Sequence, residues 1–595
     1  MKKLLILLVL ILVLVAGFFI YKDWRRDFIR KQVPRLVFLE SDSLYKISYG
    51  DIYIDEINGE LIIKELRFTP DSTYKKPSDS SLPLTLLDVY VPELHITGVQ
   101  TDAAILNKEI IARKIQLSQP VVTMYTNART DSAVKKEGKR EGLNTQDLYK
   151  VILRKLDKIS VDTILIQGAN YAIAKYTKPK DTVFAALAVD AHLYQLNISD
   201  STSTDTSRIL FAKKTNLAVK NIIIHDKKGF YNYKLDDVQL HSDEKKFAVK
   251  NIYIIPLLSE AAFMRASKWQ TDRFNFDFTG VTFNNIDVPE LLEGGLVCDS
   301  LVIEKSVFKI YRDLSYPRKS ESKVGNYPHQ ALFDAPMDIS LQNVAIKNAY
   351  IEYKEKNPKS DSSGKVSFHD AHATMYNVTN RDEDLTKNAI CRLDFHSNFL
   401  GQAPVDAYLS MYLKNPQGKF AIKGTLGATD ATVFDKLTRP MGLASIEKGK
   451  LNRLDFDLTG YDYSASGTVR MLYDDLKVSI LQKDEEENEL KKKGLVSFIA
   501  NIAIKDANPL KNKTPRIAQV KNERDIQKSF FNLLWKTIFV GVKESVGIVD
   551  KKKKQELKEE RKEAKAEKKE ERKEERKQKR EERREKKDSA NSSKQ

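Results

Sequence analysis

The 595-residue sequence contains few of the residues that would indicate chemistry. It has only two cysteines, Cys298 and Cys391, so no disulfide framework can be read from it, and buried, unreactive thiols are expected. It contains no glycine-rich phosphate loop, no G-x-S-x-G elbow and no H-E-x-x-H pair. These absences exclude the common nucleotide-binding, hydrolase and zinc-protease motifs, and nothing in the sequence indicates an enzyme or a cofactor.

The nearest approach to a metal site is the stretch FHDAH, which contains His369, Asp370 and His372. On a β-strand, residues three positions apart point to opposite faces, so the two histidines could share a metal only on a turn. We therefore expect solvent-facing strand histidines and no metal site.

Long apolar runs are also scarce, and the one present spans Leu4–Ile20. At 1.5 Å per residue it is about 26 Å long, close to the ~30 Å core of a bilayer. No A-x-A-like site follows it, which favours an uncleaved signal anchor over a cleaved signal peptide. Basic residues lie on both sides of the run and leave its orientation open, whereas its signal-like layout favours export of the following chain.

Helical patterns are rare in a chain whose hydrophobic content, 41%, suits a large folded body. Two helices are predicted, over Thr145–Ile159 and within Pro256–Trp269. The remaining sequence reads as short alternating strands punctuated by turns, which predicts a mainly β fold.

A spacing of apolar residues recurs in these strands. In LVIEKSVFKIYRD, Leu301 and Ile303 are followed, after a step of five, by Phe308 and Ile310. Because strand side chains alternate faces, an uninterrupted strand would place Ile303 and Phe308 on opposite faces. The same spacing occurs in three further stretches, at Ile115, Leu117, Val122 and Met124; at Ile164, Ile166, Tyr171 and Ile173; and at Val344, Ile346, Ile351 and Tyr353.

A two-residue hairpin turn at Lys305-Ser306 would return both apolar pairs to one face. Gly168-Ala169 and Asn348-Ala349 suit the same turn, whereas Gln119-Pro120 favours a bulge or a longer loop because proline keeps φ negative. The pattern predicts a long antiparallel sheet of repeated hairpins with one apolar face; four unrelated amphipathic hairpins are the alternative.

The last apolar segment, residues 527–547, predicts an amphipathic helix. Such a helix either lies in a membrane interface or caps the end of the sheet. The residues expected to face a membrane are Phe530, Phe531, Leu534, Trp535, Ile538 and Phe539.

The tail, residues 551–595, contains 21 Lys and Arg against 13 Asp and Glu, a net charge of +8. It lacks an apolar a/d seam, which excludes a coiled coil and leaves a solvated helix or a disordered tail. It either binds anionic head groups or acts as an inert spacer. No nucleic-acid-binding signature accompanies it, so nucleic acid is not expected as a partner.

The apolar N-terminus, the block YKISYGDIYIDEINGELIIKELRFTP, the recurring units and the block GTVRMLYDDLKVSILQKD ahead of the C-terminal helix together resemble the AsmA-like family of envelope proteins. The resemblance covers Met1 to about Val549. It implies an inner-membrane anchor over residues 1–24, a periplasmic body of repeating β-groove units over 25–525, an amphipathic helix over 526–550 and a tail outside the family pattern.

The resemblance also implies a function, the transfer of phospholipid between the inner and outer membranes of a Gram-negative cell, with acyl chains held in an apolar groove. The alternative within the family is a non-enzymatic scaffold for outer-membrane assembly, with envelope proteins as partners. The sixteen residues with the recurring spacing, from Ile115 to Tyr353, are the expected lining of the groove.

Overall fold

The structure is a computed structural model. It describes residues 44–55, 57–71, 85–100, 109–126, 157–175, 178–202, 207–442, 444–483, 490–492 and 505–548, with Pro34, Arg35, Phe38 and Asp205 as isolated positions. The expected N-terminal anchor, most of the predicted helix 145–159 and the basic tail 551–595 lie outside these residues.

The prediction of a mainly β fold is confirmed. Among the described residues, one mixed sheet contains 22 of the 23 strands, and the short β22 pairs separately with the end of β21. The first twelve strands are β1 Tyr45–Ser48, β2 Ile52–Asp55, β3 Glu60–Pro70, β4 Thr85–Thr97, β5 Glu109–Ser118, β6 Val121–Thr126, β7 Lys158–Lys175, β8 Lys178–Ser199, β9 Lys214–His225, β10 Tyr231–His241, β11 Lys246–Pro256 and β12 Arg273–Asn284.

The second half of the sheet completes the set. Its strands are β13 Leu296–Asp313, β14 Ile339–Asn357, β15 Ser362–Thr379, β16 Ile390–Phe399, β17 Ala403–Tyr412, β18 Phe420–Leu426, β19 Thr429–Asp430, β20 Ala444–Gly460, β21 Ser464–Lys483, β22 Leu490–Lys492 and β23 Ala518–Glu523. Within the described ranges, the helices with defined bounds are α1 Glu260–Ser267, α2 Val288–Glu293, α3 Pro328–Phe333, α4 Asp382–Lys387 and α5 Phe530–Ser545, with short helical turns over 431–442.

Most neighbouring strands pair with antiparallel register, and two joints do not. Strands β5 and β6 both pair parallel with β7, and β13 pairs parallel with β14. The expectation of a wholly antiparallel sheet is therefore wrong. Two parallel neighbouring strands need a crossover connection that carries the chain from the end of the first strand back to the level at which the second begins. The crossover between β13 and β14 is residues 314–338 and contains α3.

The predicted hairpins are also wrong. Lys305-Ser306, Gly168-Ala169 and Asn348-Ala349 lie inside the single strands β13, β7 and β14, so Ile303 and Phe308 are not cross-strand partners. At Gln119-Pro120 the strand is interrupted, and the segments on either side, β5 and β6, both pair with β4 and β7.

The phase break is instead a row of irregular positions that crosses the sheet, with register shifts in the β7–β8, β14–β15 and β15–β16 ladders; we call it the bulge row. A bulge inserts one extra residue, bends the strand and restores the apolar side chains beyond it to the same face. The ladders skip a pair at this row; for example, Thr279 pairs with Lys305 and Val281 with Ile303, leaving Gly280 opposite Glu304. The residues of this row with φ between 47° and 68° are Glu65, Gln119, Gly168, Ala188, Asp237, Gly280, Asn348 and Asp370.

The shared row explains why the spacing repeats in the sequence. Steps of two, five and two residues read the same in both directions, so parallel and antiparallel strands that cross the row have the same apolar spacing. All sixteen predicted lining residues pair with one another in register: Ile115 with Ile164, Leu117 with Ile166, Val122 with Tyr171, Met124 with Ile173, Leu301 with Val344, Ile303 with Ile346, Phe308 with Ile351, and Ile310 with Tyr353.

Apolar clusters close both ends of the sheet. One occupies β1–β8 and includes Val91 and Ile96, both 0% exposed. The other occupies the C-terminal strands, where α5 packs through Phe530 and Leu533. Gly541 lets α5 approach β21 closely, because a Cβ there would lie 2.3 Å from the Cβ of Val469.

The predicted helix within Pro256–Trp269 is confirmed as α1. Ser259 caps it by accepting a hydrogen bond from the backbone N–H of Ala262, and its Phe263 and Met264 are buried beside Tyr311. The predicted helix 145–159 is wrong at its end, because Ile159 lies in β7.

Candidate functional site

Between the two closed ends, a continuous line of large apolar side chains crosses eight neighbouring strands. Each residue is the register partner of the next, and all eight are half-buried. We call this line the open row; from β7 to β14 it is Ile173, Phe184, Ile224, Tyr233, Ile254, Phe276, Phe308 and Ile351. Seven steps of ~4.8 Å between strands give it a length of about 34 Å.

Phenylalanines concentrate on β12 and β13. The ring of Phe276 lies 5.3 Å from that of Phe274, 6.3 Å from that of Phe278 and 5.2 Å from that of Phe308. Three of these rings recur at every second position of β12 and therefore share one face. Among the described residues, Phe274, Phe276 and Phe308 belong to none of the buried core clusters.

Apolar side chains beside the bulge row, five residues along each strand from the open row, are much more deeply buried. Val249 is 1% exposed, Val281 3% and Ile303 8%, and they pack together across β11–β13. The open-row residues of the same strands, Ile254, Phe276 and Phe308, are half-buried. The apolar face thus has a closed centre line and an open flank.

The structure divides the sixteen predicted lining residues between these environments. Six are buried, namely Ile115, Leu117, Val122, Ile164, Ile303 and Val344. Ten are half-buried, namely Met124, Ile166, Tyr171, Ile173, Leu301, Phe308, Ile310, Ile346, Ile351 and Tyr353. Only Ile173, Phe308 and Ile351 belong to the open row, and a role for any of the sixteen in holding a ligand stays a prediction.

Sequence reasoning missed five members of the open row: Phe184, Ile224, Tyr233, Ile254 and Phe276. They lie on β8–β12, where the same spacing recurs, for example at Tyr231, Tyr233, Val238 and Leu240 of β10, and could have been found. The alternation of Phe274, Phe276 and Phe278 was a usable signal, because three large apolar residues at period two define one face of a strand.

The open flank ends in polar side chains on β13 and β14. Arg312, two residues beyond Ile310, donates from Nε and Nη2 to the two carboxylate oxygens of Asp272 at 2.7 Å and 2.5 Å. On β14 the hydroxyl of Tyr353 donates to Glu355 at 2.7 Å, and burial is the main cause of the raised pKa of that hydroxyl. The apolar surface therefore terminates at a paired, mostly buried guanidinium.

Helix α5 has two faces. Phe530 and Leu534 are buried against the sheet and Ile538 packs beside them, as expected of a cap. Phe531, Trp535 and Phe539, four residues apart, are 68%, 44% and 41% exposed and form an aromatic stripe on the other side. Of the six residues predicted to face a membrane, three therefore lie on the packed face and three on this stripe.

The remaining candidate groups are structural. Cys298 and Cys391 are free and buried, and burial raises the pKa of each thiol to about 11. The described part of the chain contains no group of three His, Cys, Asp or Glu side chains that could hold a metal. Nε2 of His369 lies 3.1 Å from the hydroxyl of Ser367, and Asp370 is a bulge residue.

No protein-family model matches this sequence, and a search of curated proteins found no significant match. The resemblance to AsmA-like proteins therefore stays a prediction. Within the described ranges, no helix combines the length and the apolar character needed to cross a bilayer. The fold and the site together define a large mixed-sheet protein with an apolar flank about 34 Å long.

Proposed function

We propose that this protein transfers lipid by holding acyl chains against the open row. The observation that carries the proposal is the half-buried apolar line across β7–β14, which contains no polar side-chain atom except the hydroxyl of Tyr233. Monomeric proteins rarely leave such a continuous apolar surface without a ligand or partner. One leaflet of a bilayer core is about 15 Å thick, so the row is long enough for an acyl chain.

The physical mechanism is burial without specific contacts. An acyl chain on the row removes its own apolar surface and that of the sheet from water, at about 25 cal/mol per Å². Since successive side chains are similar in polarity, moving along the row exchanges one apolar contact for another. Such a surface requires no nucleophile, metal or cofactor.

The proposal includes an inner-membrane anchor, a periplasmic body and phospholipid as the cargo, all supported by the apolar run Leu4–Ile20 and the family resemblance. The aromatic stripe of α5 supports a second membrane contact, because aromatic side chains favour the head-group region. The basic tail that begins six residues after Ser545 adds attraction to anionic head groups.

Native mass spectrometry of the full chain, with lipid extraction in parallel, tests the proposal. We expect bound phospholipid in the wild type and its loss in Phe276→Asp, because a carboxylate on the row is costly to cover with hydrocarbon. Asn275→Asp is the matched control, since it adds the same carboxylate one position away on the exposed face of β12.

A folded protein that carries no lipid would refute the transfer proposal and leave a scaffold for envelope assembly as the better account. Ile303→Asp is unsuitable for this test. Ile303 is 8% exposed within the central cluster, so its replacement by aspartate is expected to unfold the sheet.

A further inference from the structure

A cluster of cationic side chains lies where the apolar flank ends. The crossover between β13 and β14 brings Lys323 to this place, and the segment before α5 brings Lys528. Nη2 of Arg524 donates to the backbone carbonyls of both lysines, at 2.6 Å and 3.2 Å, and the N–H of Lys323 donates to the carbonyl of Ile526 at 2.7 Å. Two segments that are distant in sequence are thus fixed side by side.

The two lysines are placed where a cation is poorly solvated. Lys528 is 9% exposed and Lys323 is half-buried. Burial lowers the pKa of both ammonium groups, and the charge of Arg312 lowers each further. Within the described ranges, neither ammonium group has a carboxylate oxygen within 4.0 Å or a hydrogen-bond acceptor in the protein, and neither nitrogen is sealed from solvent.

The nearby carboxylates are already engaged. Asp272 is held by Arg312, and Asp525 lies 3.2 Å from the guanidinium of Arg318. Glu355 accepts from Tyr353, and Asp462 is 4.0 Å from Arg524. Among the charged groups that influence the two lysines, Arg312 and Arg318 are cationic, and the carboxylates of Asp272, Asp525 and Glu355 already have other partners. No carboxylate is therefore dedicated to either ammonium group.

Partial burial of an unpaired ammonium group costs free energy, and an anion that accepts a hydrogen bond from it removes that cost. The ligand must also reach a site two residues beyond the apolar side chains Phe274, Ile310 and Tyr353. A phosphate group meets the first condition, since it is anionic and presents several acceptor oxygens. A phosphate joined to an apolar chain also meets the second, because the chain can lie on the apolar side chains.

We propose that Lys323 and Lys528 bind the phosphate group of an anionic ligand at the end of the apolar flank. This inference rests on the proposed function for the source of that phosphate, a phospholipid head group whose acyl chains lie on the open row. Arg312 and Arg524 are positioning residues, because Arg312 is held by Asp272 and the two terminal nitrogens of Arg524 donate to backbone carbonyls, whereas its Nε has no partner.

The test measures equilibrium binding to the full chain in a neutral detergent with four probes. Dioleoyl phosphatidylglycerol carries both chains and phosphate, dioleoylglycerol carries the chains alone, and glycerol 3-phosphate and inorganic phosphate carry no chains. The variants are Lys528→Met and Lys323→Met. Lys309→Met, on the exposed face of β13, is the matched control, and Lys528→Arg restores the charge.

We expect the affinity for phosphatidylglycerol to fall about tenfold in each methionine variant, which corresponds to the loss of one charge-assisted hydrogen bond. Affinity for dioleoylglycerol stays unchanged, and Lys528→Arg and Lys309→Met resemble the wild type. Binding of inorganic phosphate that is lost in Lys528→Met would also support the site, with free phosphate as its ligand.

The proposal is overturned if binding of all phosphate-bearing probes is unchanged in both methionine variants. If the wild type binds neither lipid, the transfer function fails, and the two soluble phosphate probes still decide whether the lysines form an anion site. Thermal unfolding midpoints are measured alongside, and a variant with a lowered midpoint is replaced by the other lysine variant.

Discussion

Deleting Lys305 from β13 tests whether the phase break is a bulge. The deletion removes one residue at the bulge, next to the skipped Glu304, so every side chain beyond it changes face. Phe308 and Ile310 would move to the solvent-facing side of the sheet, and Arg312 would lose its hydrogen bonds to Asp272. If the break were a turn between two strands, shortening it would instead alter a loop.

The expected cost follows from what these residues contact. Fully burying an apolar side chain is worth about 1.5–3 kcal/mol, so moving two half-buried ones costs about 2 kcal/mol together. Separating a mostly buried ion pair adds about 3 kcal/mol. We therefore expect the local opening free energy of β13 to fall by about 5 kcal/mol, a large fraction of the stability of a typical domain.

Native-state hydrogen exchange of the β13 amides measures this local opening directly. Deletion of Ser320, an exposed residue of the crossover, is the control and should leave β13 protection unchanged. Wild-type protection of residues 306–313 in the Lys305 deletion would refute the bulge as the cause of the phase break.

Two further predictions concern titration and membrane contact. His329 is 1% exposed, and burial lowers its pKa below the ordinary value, an effect that Asp462 only partly offsets. The unfolded chain therefore binds a proton more readily than the folded chain, so the free energy of unfolding falls as pH drops below about 6.5. Between pH 7 and pH 5 the unfolding midpoint should decrease less in His329→Leu than in the wild type. An equal decrease in the two proteins would contradict this prediction. Replacing Trp535 and Phe539 by serine should reduce sedimentation of the full chain with vesicles containing phosphatidylglycerol severalfold at unchanged unfolding midpoint, and equal sedimentation would remove the membrane role of the stripe.

The strand content and the apolar face could be predicted from the sequence because alternation is a local signal. The nature of the phase break could not. A two-residue turn between Ile303 and Phe308 and a single bulge residue both return the apolar set to one face, and only the register with β12 and β14 distinguishes them. That register joins residues far apart in the chain.

The cationic cluster was beyond sequence reasoning for the same reason. Lys323 and Arg524 are 201 positions apart, and neither belongs to a recognisable motif. Lysines in loops are usually solvated, so only the packed position of Lys528, at 9% exposure, distinguishes it from the many other lysines of this chain.

The shared bulge row has a consequence for how such a protein can vary in size. Each antiparallel strand pair carries its bulge at the same height, so a pair inserted between existing neighbours would continue both the buried centre line and the open flank. Every added pair would lengthen the apolar path by about 9.6 Å without changing the length of any strand. The distance that this surface covers is therefore set by how many strands the chain contains.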